Sequence, residues 1–178
     1  MEIEVKARLK NIPQVRSRLK ALGAKRVGDK REVDAYYSPK SGQRFVGKNL
    51  HRLRIREDKT NKKARFEYHI PVGVIGGHEF EVEVSDAEIM RQILEKLGYC
   101  IEAVIDKKRE TFKKGEITIV LDRVKSLGNY IEVEILTNKT KQAEKKIYAF
   151  YNRLEIPEED LAASQRYLDM MLKAKKRM

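Results

Sequence analysis

Strict alternation of charged and apolar residues recurs along the chain. Glu2-Ile3-Glu4-Val5-Lys6 sets charge at every second position and hydrocarbon between. On a strand, Glu2, Glu4 and Lys6 then share one face and Ile3 and Val5 the other. Arg52-Leu53-Arg54-Ile55-Arg56 does the same with guanidinium groups, and Phe80-Glu81-Val82-Glu83-Val84 and Glu132-Val133-Glu134-Ile135 do it with acids. These patterns and the turn residues between them predict strands over Glu2 to Leu9, Lys25–Ser38, Gln43–Glu57, Arg65–Val72, Phe80–Val84, Tyr99–Phe112, Glu116–Val124 and Tyr130–Leu136. On the fourth, Arg65, Glu67 and His69 share a face.

Helical spacing fills the gaps. Asn11 and Gln14 form a capping-box pair before the stripe Val15, Leu19 and Leu22, which Gly23 ends. Ser85 and Glu88 predict a second box, opening a helix through Ile89, Ile93, Leu94 and Leu97 to Gly98. Asn138 is expected to cap a third helix through Ala143, Ile147, Phe150 and Leu154, broken by Pro157. A fourth, from about Ser164, is expected to bury Tyr167, Leu168, Met171 and Leu172.

The pattern also repeats. Glu2-Ile3-Glu4-Val5, a helix, Leu22-Gly23 and Asp29-Lys30-Arg31 are echoed by Glu79-Phe80-Glu81-Val82, a helix, Leu97-Gly98 and Asp106-Lys107-Lys108-Arg109. This predicts two halves of one antiparallel sheet that pair with each other. No linker-like stretch interrupts the chain, so residues 1–178 are expected to form one domain.

Composition narrows the function. The chain has 178 residues, 41% hydrophobic and 37% charged, with both signs interspersed. That is globular rather than disordered. Charge begins at residue 2 and no apolar run can span a bilayer, so a cytoplasmic protein without membrane contact is expected. Cys100, the one cysteine, excludes an internal disulfide and sits in an apolar run that suits a core. A net charge of +12 points to an anionic partner, nucleic acid or polyphosphate among them. Glu2 and Glu4 repel as same-face neighbours unless water or a cation such as Mg²⁺ separates them. His51, His69 and His78 lack zinc spacing. Gly42 to Lys48 has the outline of a phosphate loop, but Asn49 stands where a hydroxyl is needed and a strand follows.

The helices' apolar stripes suit the apolar face of the sheet. The charged face must then meet water in an open sheet, or line the inside of a closed barrel. A charged interior is tolerable only when opposite charges and a ligand compensate each other. A polyphosphate with divalent ions meets that requirement, since Arg and Lys take phosphate oxygens and carboxylates hold the metal.

Glu2-x-Glu4-x-Lys6 resembles the signature of the CYTH family, the triphosphate tunnel metalloenzymes. The likeness continues in order through Leu53-Arg54-Ile55-Arg56, the Glu81 strand, Lys107-x-Arg109, Leu121-Asp122-x-Val124, Leu127-Gly128 and Glu132-x-Glu134. The last part resembles the class IV adenylyl cyclase branch. The resemblance implies an α+β fold: a closed barrel of eight antiparallel strands with helices outside. It implies Mg²⁺ or Mn²⁺ held by Glu2, Glu4, Glu132 and Glu134 with Asp122 nearby. It implies a triphosphate such as ATP held by Lys6, Arg54, Arg56, Lys107 and Arg109, and Glu4, Lys6 and Glu134 as the catalytic groups. A homodimer is a further implication. Two positions depart from the family pattern. His69 replaces a usual lysine, whose charge Arg65 on the same face is expected to supply, and Arg166 replaces a usual serine before Tyr167. The expected activity is conversion of ATP to cyclic AMP and pyrophosphate. Hydrolysis of tripolyphosphate, thiamine triphosphate or a nucleotide is the alternative. Non-catalytic polyanion binding, for example to RNA, ranks third, because acids weaken a pure anion site.

Overall fold

The computed structural model describes residues 1–41, 51–72, 76–161 and 166–175. The expectations for Gln43 to Leu50, the Gly42–Lys48 string, Gly73 and Ser164 lie outside the described residues. In chain order the elements are β1 (Glu2–Leu9), α1 (Ile12–Ala21), β2 (Lys25–Pro39), β3 (Arg52–Asp58), β4 (Lys63–Val72), β5 (Gly76–Val84), α2 (Ala87–Lys96), β6 (Tyr99–Lys114), β7 (Ile117–Val124), β8 (Gly128–Leu136), α3 (Thr140–Arg153) and α4 (Tyr167–Lys175). No described helix is long and apolar enough to cross a membrane.

The strands close into an antiparallel barrel in the order β1-β5-β4-β3-β2-β6-β7-β8. Exchanging β1–β4 with β5–β8 maps this circular order onto itself. The repeat in the sequence is therefore a pseudo-twofold, with β1 beside β5 and β2 beside β6 at the two seams.

Apolar faces turn outward beneath helices. Ile3, Val5, Ile131, Val133 and Ile135 are buried under α1 and α3. The Tyr151 hydroxyl reaches from α3 to the carbonyl oxygens of Val5 at 2.7 Å and Ile131 at 3.2 Å. On the other half, Leu94 with Ala87 and Met90 covers Ala35, Tyr37, Leu53 and Ile55.

Of the apolar residues that mark α2 in the sequence, Leu94 is buried, but Ile89, Ile93 and Leu97 are exposed. Ala87, Met90 and Leu94, spaced three and four apart, occupy the barrel-facing arc and push the other three onto the next arc. This half also lacks a counterpart of α3: only residues 73–75 separate β4 from β5, and Phe80 and Val82 of β5 stay exposed.

Two caps differ as well. Asp86, not Ser85, caps α2, and its side chain accepts from the N–H groups of Glu88 and Ile89. Its carboxylate also suits the positive end of the helix dipole. The N-cap of α3 is Lys139, with no side-chain cap. The Asn138 prediction places that start one residue early.

The fourth helix closes one end of the barrel. Tyr167 and Leu168 pack with Tyr36, Ile105, Val124 and Tyr130. By alternation with Asp34, Lys107, Asp122 and Glu132, those four point inward.

Candidate active site

The inner face follows from register. β1 pairs with β8 so that Glu4 lies opposite Glu134 and Lys6 opposite Glu132. Lys6 Nζ then sits 2.6 Å from both Glu4 and Glu132. Burial opposes its charge, but the two carboxylates outweigh burial and push its pKa up. From β6, Arg109 bonds both oxygens of Asp122 at 2.8 and 2.6 Å and reaches Glu132 at 2.5 Å. Tyr167 donates to Asp122 Oδ2 at 3.0 Å, and Lys6 Nζ stands 4.5 Å from the centre of the Tyr167 ring.

The opposite wall is organised by Asp34, which is 1% exposed. Arg56 bonds both of its oxygens at 2.7 and 3.0 Å, and Lys107 bonds one at 2.7 Å. Burial would raise its pKa, but Arg56, Lys107 and Arg54 hold it well below the usual carboxylate range. Glu32 is likewise kept ionised against burial by Arg56, Lys107 and Arg109. Arg54 bonds Glu67 at 2.5 Å, the Tyr36 hydroxyl at 2.9 Å and Glu79 at 3.3 Å.

Two acids stand apart from this network. Among the described residues, Glu2 and Glu134 have no hydrogen bond or ion pair from their side chains. Burial, then repulsion from Glu4 and Glu79, raises Glu2 to about 7. Burial, with repulsion from Glu4, Glu132 and Glu2, pushes Glu134 well above the ordinary value although Arg109 opposes the shift. Oxygen atoms of Glu4, Glu132 and Glu134 lie within 4.8 Å of one another. An all-oxygen set in which Glu134 has no cation partner among the described residues fits a hard divalent cation such as Mg²⁺ or Mn²⁺. Glu132 is the least available member, because Lys6 and Arg109 occupy one oxygen each. Glu67, Glu79 and Glu81 form a second acidic group of the same size. Arg54 and Arg65 already neutralise that one.

One cavity is lined by Glu2, Glu4, Lys6, Arg54, Arg56, His69, Lys107, Arg109, Glu132 and Glu134. Asp122 sits behind Arg109, with both oxygens engaged. Arg65 does not line the cavity and pairs instead with Glu67 and Glu81 at 3.4 Å. His69 does line it. Burial, then Arg54, lowers its pKa to about 4, so the ring is neutral at pH 7. The motifs did not bring out Glu32, Asp34, Tyr36 and Glu67 as internal counter-charges and partners. The signal was present: Glu32-Val33-Asp34-Ala35-Tyr36 alternates like β1 and places its polar groups on one face.

Known proteins share this architecture. The sequence profile of the CYTH domain matches residues 1–164. MJ0240 of Methanocaldococcus jannaschii, provisionally named an adenylate cyclase, is 33% identical over 135 residues, covering 75% of this chain and 76% of that protein. Adenylate cyclase CyaB of Aeromonas hydrophila is 25% identical over 139 residues, covering 77% and 70%. The structure of PH1012 from Pyrococcus horikoshii OT3 superposes with a TM-score of 0.85 at 27% identity, over 95% of this chain and 98% of the other. HpAC1 of Hippeastrum, a provisional adenylyl cyclase described with a dominant triphosphatase activity, shares the fold at 15% identity, with a TM-score of 0.68 over 98% and 96% of the two chains.

Proposed function

The chain belongs to the CYTH family, and we propose that its tunnel binds a triphosphate with a divalent cation and converts ATP to cyclic AMP and pyrophosphate. One observation carries this reading. Lys6, Arg54, Arg56, Lys107 and Arg109 project into the same cavity as the uncompensated carboxylates Glu2 and Glu134. Cations alone suit any polyanion, whereas the unpaired acids call for a metal beside it.

When bound, Mg²⁺ or Mn²⁺ supplies neutralisation of the phosphates and acidifies the attacking hydroxyl. Glu2, Glu4 and Glu134, with Glu132 behind them, would hold it, and Asp122 contributes by fixing Arg109. The arginines and Lys107 align the phosphate chain for in-line displacement. The bond from the ribose 3′-oxygen to the α-phosphorus forms as the bond to pyrophosphate breaks. Lys6 stays protonated between Glu4 and Glu132, so it donates to phosphate oxygens and does not act as the base. Glu134, which no protein cation among the described residues occupies, would hold the metal through one oxygen and offers the other as acceptor for the hydroxyl proton. MJ0240 and CyaB support the cyclase reading through their names and alignable sequences.

Hydrolysis of tripolyphosphate, thiamine triphosphate or a nucleotide is the second reading. The lining itself favours it. Of the rings facing the cavity, Tyr36 serves Arg54, His69 faces Arg52 and Tyr167 serves Asp122. Cations also stand over two of these rings, Arg54 over Tyr36 and Lys6 over Tyr167, so one face of each is already taken from adenine. The test is a product assay on purified protein with Mg²⁺ or Mn²⁺ and, in parallel, ATP, tripolyphosphate and thiamine triphosphate. Cyclic AMP with pyrophosphate is the expected result. Orthophosphate would establish the hydrolase instead. Turnover of none of the three would leave polyanion binding, RNA included, as the function.

A further inference from the structure

The ion pairs inside the tunnel cancel unevenly. Lys6, Arg54, Arg56, Lys107 and Arg109 each have a carboxylate within 4 Å. Among the described residues, Arg52 and Arg166 of the cavity lining have none. Arg166 is only partly buried, so its guanidinium keeps access to solvent. Arg52 is only 7% exposed. Its Nη2 is buried without a hydrogen-bond partner, and its Nη1 lies 3.4 Å from Nδ1 of His69. A guanidinium removed from water with unmet donors is unfavourable unless something anionic completes it.

The surroundings hold it in that state. An arginine can only donate, so His69 Nδ1 must accept, which puts the imidazole proton on Nε2. The other edge of the ring lies against Gly77, where an added Cβ would come within 2.1 Å of Nε2. Glycine at 77 is therefore what lets His69 sit beside Arg52, and β4 places His69 directly opposite Arg52 on β3.

We propose that Arg52 is a substrate-binding residue that anchors the phosphate chain, with His69 as the positioning residue that aims it. This rests on the reading of the tunnel as a triphosphate site and goes further by saying which cation contributes most. Lys6, Arg54, Arg56, Lys107 and Arg109 must each share an existing carboxylate with the ligand. Arg52 has nothing to give up, and burial has already removed its water. Its planar fork can take two phosphate oxygens at once.

The test compares wild type, Arg52→Gln, Arg52→Lys and Arg56→Gln by calorimetric titration with tripolyphosphate in Mn²⁺, and by thermal melting without ligand. Arg52→Gln is expected to weaken binding by at least about tenfold, the scale of hydrogen bonds to a charged group. Arg52→Lys should fall between it and wild type. Without ligand, Arg52→Gln should melt no lower than wild type, because it removes an uncompensated buried charge. Arg56→Gln should melt lower, because it strips a partner from Asp34. A purely structural Arg52 would show the reverse: a lowered melting temperature and unchanged affinity, which overturns the proposal. Absence of tripolyphosphate binding by wild type would overturn both this and the tunnel reading. Wild-type binding with equal affinity in Arg52→Gln would overturn this inference alone.

Discussion

Asp34 shows how much of the site rests on a single carboxylate. It is fully enclosed and accepts from Arg56 and Lys107, with Arg54 3.9 Å away. Asp34→Asn leaves those cations buried with one carboxylate fewer to compensate them. Breaking a buried ion pair from one side costs roughly 3–5 kcal/mol. Urea denaturation of the variant should show a loss of that order at unchanged slope. A loss below about 1 kcal/mol would mean that the cations relax into water or onto Glu32. His69 gives a second residue-scale expectation. Its folded pKa, about 4, lies below its ordinary 6.5 because burial and then Arg54 disfavour the charged ring. At this ring the unfolded chain therefore binds more protons between those values, so the His69 contribution to stability rises with pH across that window, against the opposite slope from the raised Glu2 and Glu134. The contribution is complete above about pH 6.5 and is lost as pH falls toward 4. His69→Gln should remove that rising contribution from the curve of urea midpoint against pH. An identical slope in the variant would show that the ring is not held neutral.

At the scale of elements, strands were the most legible. Period-two alternation in β1, β3 and β8 predicted both their existence and their inward residues, because the register of a half-buried strand is set by which face must be dry, whereas in β5 it predicted the strand alone. Helices were legible in number and less so in orientation. The apolar residues that mark α2 do not say which of them it buries, since a helix with four apolar candidates can bury only one arc against a curved barrel, and that choice depends on Ala35, Tyr37, Leu53 and Ile55 beneath it. The Ser85 and Asn138 caps were displaced by one residue for a related reason. Several polar side chains adjoin each helix start, and tertiary placement decides which one turns the chain. Tyr151 of α3, absent from the predicted stripe, is fully buried and donates to carbonyls of β1 and β8. Tyr151→Phe removes that bond and nothing else of size, so a destabilisation of about 0.5–1.5 kcal/mol is expected by urea titration. An unchanged midpoint would show that α3 is held by packing alone.

For the molecule as a whole, a symmetric scaffold has acquired an asymmetric charge pattern. The pseudo-twofold relates β1 to β5; β1 brings Glu2 and Glu4 to the cavity and β5 brings Glu79. β3 brings Arg52, Arg54 and Arg56 to its side, whereas its counterpart β7 brings Val120, Asp122 and Val124. One acidic group is therefore neutralised by Arg54 and Arg65, and on the other side Glu2 and Glu134 stay unpaired. The motif residues made the cation and metal candidates legible in the sequence. The counter-charges Asp34, Glu32 and Glu67 were not, because their roles depend on which strands become neighbours in the closed barrel. Nor was the isolation of Arg52, which shows only after the other pairs are found. The central claim is that cation and triphosphate bind together in this tunnel. Calorimetric titration of tripolyphosphate with and without Mn²⁺, on wild type and Glu134→Gln, tests it most directly. Mn²⁺ should tighten tripolyphosphate binding in wild type, and Glu134→Gln, folded as judged by circular dichroism, should lose most of that gain. Equal affinity with and without Mn²⁺, unaffected by the substitution, would contradict the account and leave a tunnel that binds anions without a metal.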